Sequence, residues 1–291
     1  MRLKSLDGIT VMAQAELIRR SSPQNKAKRL QRKQALLIVG GRVLLLVCVL
    51  TVWQLLSGRV VDPLFISSPL AIGQQISAWI SDGTLLFHTE ITLQETLLGL
   101  FFGTVAGILA GFVLGIQQVL GKILDPFVIA FYSIPKIALA PLFILWFGID
   151  IQMKVILAAV TVFFLVFLNT LAGVRDVDQD LINAVLLMGG KSRDITFKVI
   201  VPATTGSILT GLRIAVPYAL IGAIVGELIA SNRGIGYLIL STGAEYNTAG
   251  LFAAILVLTI IASLLNALVN LIDRKTSRWK TRASIGRKIL P

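Results

Sequence analysis

The sequence is poor in the side chains on which most enzymes and metal sites depend. Its 291 residues include one cysteine, Cys48, and one histidine, His88, and only 14% of the residues are charged. A single cysteine excludes a disulfide within the chain, and a single histidine excludes an all-histidine metal site. No nucleophile is placed beside a base in the apolar segments. We therefore expect no catalytic residues, no metal site and no enzymatic activity.

A phosphate-binding loop is also absent. The stretch from Gly115 to Gly121 and Lys122 has five residues between its glycines rather than four, and Ile123 stands where such a loop needs Ser or Thr. We expect the chain to bind no ATP by that route and to hold no cofactor.

The basic residues are concentrated at the two ends of the chain. The formal net charge is +12, and residues 1–35 contribute a balance of +7, residues 273–291 a balance of +6, and the residues between them −1. The hydrophobic body has no basic groove for a nucleic acid, so we exclude that partner. Basic tails of this kind are attracted to anionic lipid.

Long apolar segments dominate the rest of the sequence. Hydrophobic residues make up 55% of the chain, and its mean hydropathy is +0.84. About 20 helical residues span the hydrocarbon core of a bilayer. Six segments qualify: Leu36–Leu56, Leu97–Ile116, Phe127–Phe147, Val155–Val174, Ile208–Ala230 and Leu251–Ile272. We predict an all-α integral membrane protein with six transmembrane helices.

The charge distribution predicts the orientation. Lys and Arg near span ends stay in the cytoplasm, so two basic ends favour cytoplasmic termini and an even number of crossings. Leu70–Ile80 is expected to form a short amphipathic helix at the outer interface, or a packed helix outside the membrane. The chain then divides into a basic, mostly disordered tail (1–35), a first transmembrane helix (36–56), an extracytoplasmic segment (57–88), a transmembrane domain (89–273) and a second basic tail (274–291).

Few ionisable residues fall inside the predicted spans. The candidates are Lys136, Arg213 and Glu227, of which Lys136, between Pro135 and Pro141, is placed deepest. A stand-alone secondary carrier needs such groups, together with an internal repeat and broken helices. The sequence shows no such repeat, and the carrier stays an alternative.

Glycines recur every fourth residue in the second span. This spacing places them along one slowly drifting face of a helix, where another helix can approach closely. The stripe predicts tight helix packing, within the chain or against a partner. It comprises Gly99, Gly103, Gly107, Gly111 and Gly115.

A long cytoplasmic segment, residues 175–207, separates the fourth and fifth spans. Asp178 or Asp180 can cap a helix over Leu181–Met188, which Gly189 and its neighbour would end. A second short helix is predicted from Ser192 to Ile200, before Pro202. Two short helices joined at a glycine corner form either a rigid contact for a cytoplasmic partner or a loop packed on its own subunit.

This segment resembles the coupling-loop motif of ABC-importer permeases, which reads Glu-Ala-Ala, three residues, Gly, nine residues, Ile-x-Leu-Pro. The chain reads Asn183-Ala184-Val185, three residues, Gly189, nine residues, Val199-Ile200-Val201-Pro202. It departs from the motif at Asn183, an amide that can still form hydrogen bonds. We call residues 175–207 the coupling loop.

Further segments are similar to the alkanesulfonate, taurine and nitrate branch of these permeases, and the resemblance extends from about Pro63 to Arg278. The segments are Leu142–Asp150 after Ile134-Pro135, Gly211-Leu212-Arg213, Glu227 and Ser231–Ile239. The resemblance implies a type I ABC-importer permease fold in a bacterial inner membrane. It also implies a second permease subunit, expected to be a copy of this chain, a cytoplasmic ATPase dimer that binds ATP and Mg, and an extracytoplasmic binding protein.

The substrate that this resemblance implies is a small anion such as a sulfonate, taurine or nitrate, with an aromatic acid or a vitamin-precursor pyrimidine as the alternative. It assigns ATPase coupling to Arg175, Asp178, Leu181, Asn183, Ala184, Val185, Gly189, Val199 and Pro202. Pathway or gating roles would fall on Pro135, Lys136, Pro217, Gly222, Gly226 and Glu227, with ordinary helix packing as the alternative.

Overall fold

The computed structural model describes residues 23–276 of the chain, and the side chains of residues 34–271. The chain divides after Leu70 into two compact units. Between residues 23 and 276 the regular elements are all helical, and the single β-type pairing is an isolated bridge between Ser57 and Val61. The predicted all-α architecture is confirmed.

The first unit contains helix α1, Pro23–Leu56. The sequence predicted a mostly disordered tail as far as residue 35, so for residues 23–35 that prediction is wrong. Pro23 suits the first position of a helix, and the Lys, Arg, Gln, Ala and Leu residues that follow it favour helix. The expectations for residues 1–22 and 277–291 lie outside the described residues.

The remaining helices belong mainly to the second unit. They are α2 (Pro69–Ser81), α3 (Thr84–Ile116), α4 (Gln118–Ser133), α5 (Ala140–Phe147), α6 (Ile151–Arg175), α7 (Gln179–Leu187), α8 (Ser192–Ile195), α9 (Val201–Ile229), α10 (Ile235–Ala244) and α11 (Thr248–Thr276). A 3₁₀ turn, Lys136–Leu139, precedes α5, and a π-helical turn, Thr196–Ile200, joins α8 to α9.

The described chain contains five helices that are long and apolar enough to cross a membrane, and a sixth crossing if one bent pair counts as a single span. The bent pair replaces the predicted continuous span Phe127–Phe147, and its two parts meet at 84°. The break follows from Pro135, because a proline disfavours helical geometry at the residue before it. Ile134 is accordingly extended, with φ −67° and ψ 126°.

Helices α3 and α6 both begin before the spans that the sequence predicted within them. The second span was placed at Leu97–Ile116 and the fourth at Val155–Val174, whereas α3 begins at Thr84 and α6 at Ile151. In both cases the predicted span started just after a charged residue, Glu95 for the second span and Lys154 for the fourth. The structure includes Glu95 and Lys154 in the helices because the two charges pair with each other inside the protein.

Helices α3 and α6 pack along the glycine stripe. A Cβ on Gly103 would lie 2.7 Å from the Val162 Cβ, and one on Gly111 would lie 2.6 Å from the Thr170 Cβ. All five glycines of the stripe are buried, and each faces α6. Backbone-to-backbone approach within one chain therefore accounts for the fourfold spacing.

The coupling loop runs into the fifth span without a break, so the predicted end of its second helix before Pro202 is wrong. The π-helical turn carries the chain from α8 into α9, and Pro202 lies in the first turn of α9. The Val201 N–H reaches back five residues to the Thr196 carbonyl. This wider turn relieves the clash that a proline ring makes with the carbonyl four residues earlier.

Two short helices lie outside the predicted spans. In α2, Ile72 and Trp79 are buried whereas Ile80 is exposed, which favours the packed-helix alternative. Helix α10 was not predicted from the sequence. It follows a loop at residues 231–234 and lies at the end of α9 opposite the coupling loop.

Candidate functional site

The coupling loop begins with two polar contacts. The Arg175 guanidinium, at the end of α6, lies 3.1 Å from the Asp125 carboxylate on α4. Asp178 caps α7, its carboxylate accepting a hydrogen bond from the Asp180 N–H at 2.9 Å. These contacts fix the direction in which α7 leaves the membrane-spanning part.

Helix α7 presents an apolar surface that the described part of the chain leaves uncovered. Leu187 is 89% exposed and Met188 is 87% exposed. Leu181, Asn183 and Ala184 are also exposed, and Val185 is half-buried. Large apolar residues clustered on a short helix are typical of an interaction surface.

A glycine corner ends this helix. Gly189 has a φ of +80°, in the left-handed region that L side chains rarely adopt. A Cβ on Gly189 would meet nothing within 4 Å, whereas one on Gly190 would lie 2.5 Å from Val185 Cγ1. Glycine is therefore favoured at position 189 because of the backbone angle, and at position 190 because a side chain would collide with Val185.

The inner side of the coupling loop packs on the end of α6. Val174, Val177 and Ile200 form a buried cluster, and Ile182, Ile195 and Val199 pack against it. Pro202 is exposed at the start of α9. The loop is thus seated firmly by one side and presents α7 on the other.

A second polar site lies deep in the helix bundle. The Lys154 ammonium is 3.7 Å from a Glu95 carboxylate oxygen, and the two side chains are only 2% and 1% exposed. The fully buried carboxylate of Glu227 interacts electrostatically with both. Two carboxylates and one ammonium therefore share a site sealed from solvent by α3, α6 and α9.

Glu227 also reaches the start of α10. One of its carboxylate oxygens accepts a hydrogen bond from the Gly236 N–H at 2.6 Å, and the other accepts one from the Thr92 hydroxyl at 2.7 Å. His88 joins the same site, because its Nδ1 accepts a hydrogen bond from the Gly234 N–H at 2.9 Å.

The sequence reasoning missed most of this polar network. It treated His88 as isolated, placed Lys136 deepest, and left Glu95 and Lys154 outside the spans. A usable signal was present: His88, Thr92 and Glu95 precede the glycine stripe at helical spacing, so they continue the face that packs on α6.

Three of the six residues predicted to line or gate a pathway lie in contacts between helices of this chain. A Cβ on Gly222 would lie 2.7 Å from the Ala158 Cα, and one on Gly226 would lie 2.9 Å from Lys154 Cγ. These contacts with α6 favour the packing alternative for both glycines. Glu227 is enclosed in the network, whereas Arg213 is exposed.

The other candidates for a pathway lie at two places. Pro217, inside α9, borders an apolar cleft of about 460 Å³ between α9 and α11. Pro135 is at the 84° bend, and the neighbouring Lys136 ammonium lies 4.4 Å from the centre of the Tyr132 ring and 5.0 Å from that of Phe164. Among the described residues, no group of three or more His, Cys, Asp or Glu could hold a metal ion.

The fold and the coupling loop together define a helical membrane transport subunit. Solved structures show the same fold. An inward-facing form of the MetNI methionine ABC transporter matches with a TM-score of 0.61 and 21% identity, over 68% of this chain and 98% of that chain. An amino acid ABC transporter matches with a TM-score of 0.57 and 15% identity, over 69% and 97%.

The chain belongs to the family of binding-protein-dependent transport system inner membrane components, whose model matches residues 103–278. The Bacillus subtilis protein SsuC, named as an aliphatic sulfonates transport permease, is 31% identical over 89% of this chain and 95% of its own length. The taurine transport system permease TauC of Escherichia coli is 32% identical over 80% and 87%. The formylaminopyrimidine transport permease ThiX of Halalkalibacterium halodurans is 31% identical over 80% and 93%.

These findings confirm the predicted class. The protein is the inner-membrane permease subunit of an ABC importer, and it is a transport component rather than an enzyme. A stand-alone carrier is no longer an alternative. Members of this family operate with an ATPase and a substrate-binding protein.

Proposed function

We propose that the coupling loop docks on a cytoplasmic ATPase that binds ATP and Mg. The observation that carries this proposal is the exposure of Leu187 and Met188 at the end of a capped helix, immediately before the Gly189 corner. The spacing of Asn183, Ala184 and Gly189 relative to Pro202 supports the same surface. Asn183 would supply a hydrogen bond where the motif has a carboxylate.

We place both termini and the coupling loop in the cytoplasm. The basic excess of the two ends supports this orientation. The coupling loop also contains four Lys and Arg residues, which are what this rule counts, although four aspartates balance their charge. The loop that contains Arg233 then faces the extracytoplasmic side, at the other end of α9.

The proposed movement is a rigid-body tilt of the spans. Residues Ser192–Ile229 form one helical stretch of 38 residues, which at 1.5 Å per residue is roughly 57 Å long. A displacement of the coupling loop by the ATPase would therefore be transmitted along α9 to the Glu227 end. The close packing of α3 and α9 on α6 favours movement of these helices as one body.

Two such permease subunits, expected to be copies of this chain, would enclose the pathway and face an ATPase dimer. Pro135, Lys136 and Pro217 are our candidates for its lining, with bending at Gly222 or Gly226 as a lesser possibility. Lys136 is half-buried, and its ammonium is held over two aromatic rings. A cation in that position would favour an anionic solute.

We propose a small anion of the sulfonate, taurine or nitrate type as the substrate. The names of SsuC and TauC support this class. The similarity to ThiX makes a formylaminopyrimidine the second candidate. An extracytoplasmic binding protein would deliver either solute.

The docking proposal is tested by co-purification. The tagged chain, solubilised gently from its native membrane, should retain an ATPase with a phosphate-binding loop. Leu187→Asp should lose that ATPase because it places a charge in the apolar contact. The control is Tyr246→Asp, which changes a 76% exposed ring at the end of the helices opposite the coupling loop and should retain the ATPase. Retention by Leu187→Asp would contradict the assignment.

The substrate proposal is tested by uptake into liposomes that contain the complete transporter and its binding protein. Labelled taurine should enter in an ATP-dependent manner, and formylaminopyrimidine should not. Lys136→Gln should raise the KM for taurine, with a normal ATPase rate. Uptake of the pyrimidine alone would replace the first substrate class by the second.

A further inference from the structure

Three consecutive backbone N–H groups at the start of α10 each donate to a different side chain. The donors belong to residues 234–236, and the acceptors are His88 Nδ1 at 2.9 Å, Thr92 Oγ1 at 2.8 Å and Glu227 Oε2 at 2.6 Å. The first N–H groups of a helix have no partner within the helix. Here buried side chains of two other helices satisfy them. We call these three acceptors the latch.

Thr92 is the central part of the latch. Its hydroxyl accepts the hydrogen bond from the Ile235 N–H and donates to Glu227 Oε1 at 2.7 Å, with the His88 carbonyl of its own helix as a second, longer acceptor at 3.1 Å. The side chain is fully buried. Of residues of this size, only one with a hydroxyl can both accept and donate at this position. Thr92 thereby joins α3, α9 and the first residue of α10.

The loop approaches the latch too closely for any side chain. Gly234 has a φ of +103°, and a Cβ built on it would collide with the Glu227 carboxylate. A Cβ on Gly236 would lie 2.8 Å from the Glu227 Cβ and 2.9 Å from the Ile224 carbonyl oxygen. The position of the loop is therefore fixed by hydrogen bonds and by steric contact together.

The latch holds a short polar tip, residues 231–233. The Ser231 hydroxyl donates to the Arg233 carbonyl at 2.6 Å. The Arg233 guanidinium is half-exposed and lies 4.0 Å from Asp150 at the start of α6. Asn232 is also exposed. A rigid base thus presents hydrogen-bonding and charged groups on the side of the membrane opposite the coupling loop.

We propose that the latch positions this tip for docking of the extracytoplasmic binding protein. His88, Thr92 and Glu227 act as positioning residues, because they hold the tip and do not form the contact. A loop that is already fixed loses less conformational freedom on binding than a mobile one, so pre-organisation strengthens docking. The proposal rests on the importer function and assigns one of its interfaces.

The test is the ATPase activity of the complete transporter in liposomes, measured against the concentration of its binding protein. Thr92→Val keeps the shape of the side chain and removes the hydroxyl, with its hydrogen bonds to the Ile235 N–H, to Glu227 Oε1 and to the His88 carbonyl of its own helix. The concentration of binding protein that gives half of the maximal ATPase stimulation (the half-stimulating concentration) should rise about tenfold. This is the effect of about one lost buried hydrogen bond. Basal and maximal ATPase rates should stay unchanged. Thr92→Ser keeps the hydroxyl and should have the half-stimulating concentration of the wild type.

Thr96→Val is the matched control. Thr96 is buried one turn further along α3, and its hydroxyl bonds only to the Thr92 carbonyl of the same helix. The control should leave the half-stimulating concentration unchanged. Wild-type behaviour of Thr92→Val would overturn the proposal, and so would lower basal and maximal rates at an unchanged half-stimulating concentration, which indicates a general loss of stability.

A second variant keeps the test independent of folding. Arg233→Glu changes an exposed side chain and should also raise the half-stimulating concentration, whereas an unchanged value would overturn the assignment of the tip. If wild-type protein retains no ATPase, the proposed coupling function fails first. If wild-type protein couples normally and neither variant alters docking, the latch proposal alone fails.

Discussion

The two ends of α9 are built in opposite ways. At the Glu227 end, charged and polar side chains are buried and hydrogen-bonded to the chain's own backbone. At the other end, the coupling loop leaves Leu187 and Met188 almost fully exposed. The first arrangement is closed by the described helices themselves, whereas the second leaves an apolar surface for the ATPase that we propose to dock there. One long helix thus connects a self-contained site to an open one.

The largest effect is expected from breaking the buried ion pair. Lys154→Met leaves the Glu95 and Glu227 carboxylates together without a cation, and removing one partner of a buried pair costs about 3–5 kcal/mol. The purified variant should unfold at a much lower temperature than the wild type, or fail to accumulate in the membrane.

The double variant Glu95→Leu with Lys154→Met separates charge from packing. It removes both members of the pair and should recover most of the lost thermal stability, because a buried pair replaced by apolar residues is often tolerated. If Lys154→Met alone unfolds at the same temperature as the wild type, the network at this end contributes no stability.

The packing of α3 on α6 should be the next most sensitive feature. Gly103→Ala forces a methyl group against Val162, and overpacking of this kind costs about 1–3 kcal/mol. Gly73→Ala is the matched control, since a Cβ there meets nothing within 4 Å and alanine favours helix by about 1 kcal/mol. Thermal midpoints of the purified variants should fall for the first and hold or rise for the second. Equal midpoints would contradict the close approach of the two helices.

At the coupling loop, a change of backbone preference should affect docking more than folding. Gly189→Ala places an L side chain at φ +80°, which costs roughly 1–2 kcal/mol. Apparent affinity for the ATPase should weaken, with little change in the thermal midpoint. Gly189→Asn, which tolerates this conformation better, should retain more affinity. A larger loss with Asn than with Ala would indicate that side-chain volume rather than backbone angle is limiting.

The smallest effect is expected at the exposed pair between Arg175 and Asp125. Both side chains are more than a third exposed, at 38% and 42%, and such pairs contribute about 1 kcal/mol or less. Arg175→Gln should lower the thermal midpoint slightly in low salt and not at about 1 M salt, where charges are screened. A large, salt-independent loss would assign Arg175 a packing role instead.

Local features of the sequence determined much of the protein. The apolar segments predicted the membrane-spanning helices, and the spacing from Asn183 to Pro202 identified the permease class. The four-residue repeat from Gly99 to Gly115 predicted a packing face. Each of these features depends on hydrophobicity or on residue spacing along the chain, and both can be recognised in a sequence without a structure.

The charged network was decided only by the tertiary structure. Glu95, Lys154 and Glu227 lie on three different helices, and each by itself resembles a polar residue at a span end. A charge is stable in the interior only when a partner meets it there. The sequence by itself therefore determined the number of spans and the position of the coupling loop, whereas the assembly of three helices determined which charges could be buried and which loop they hold.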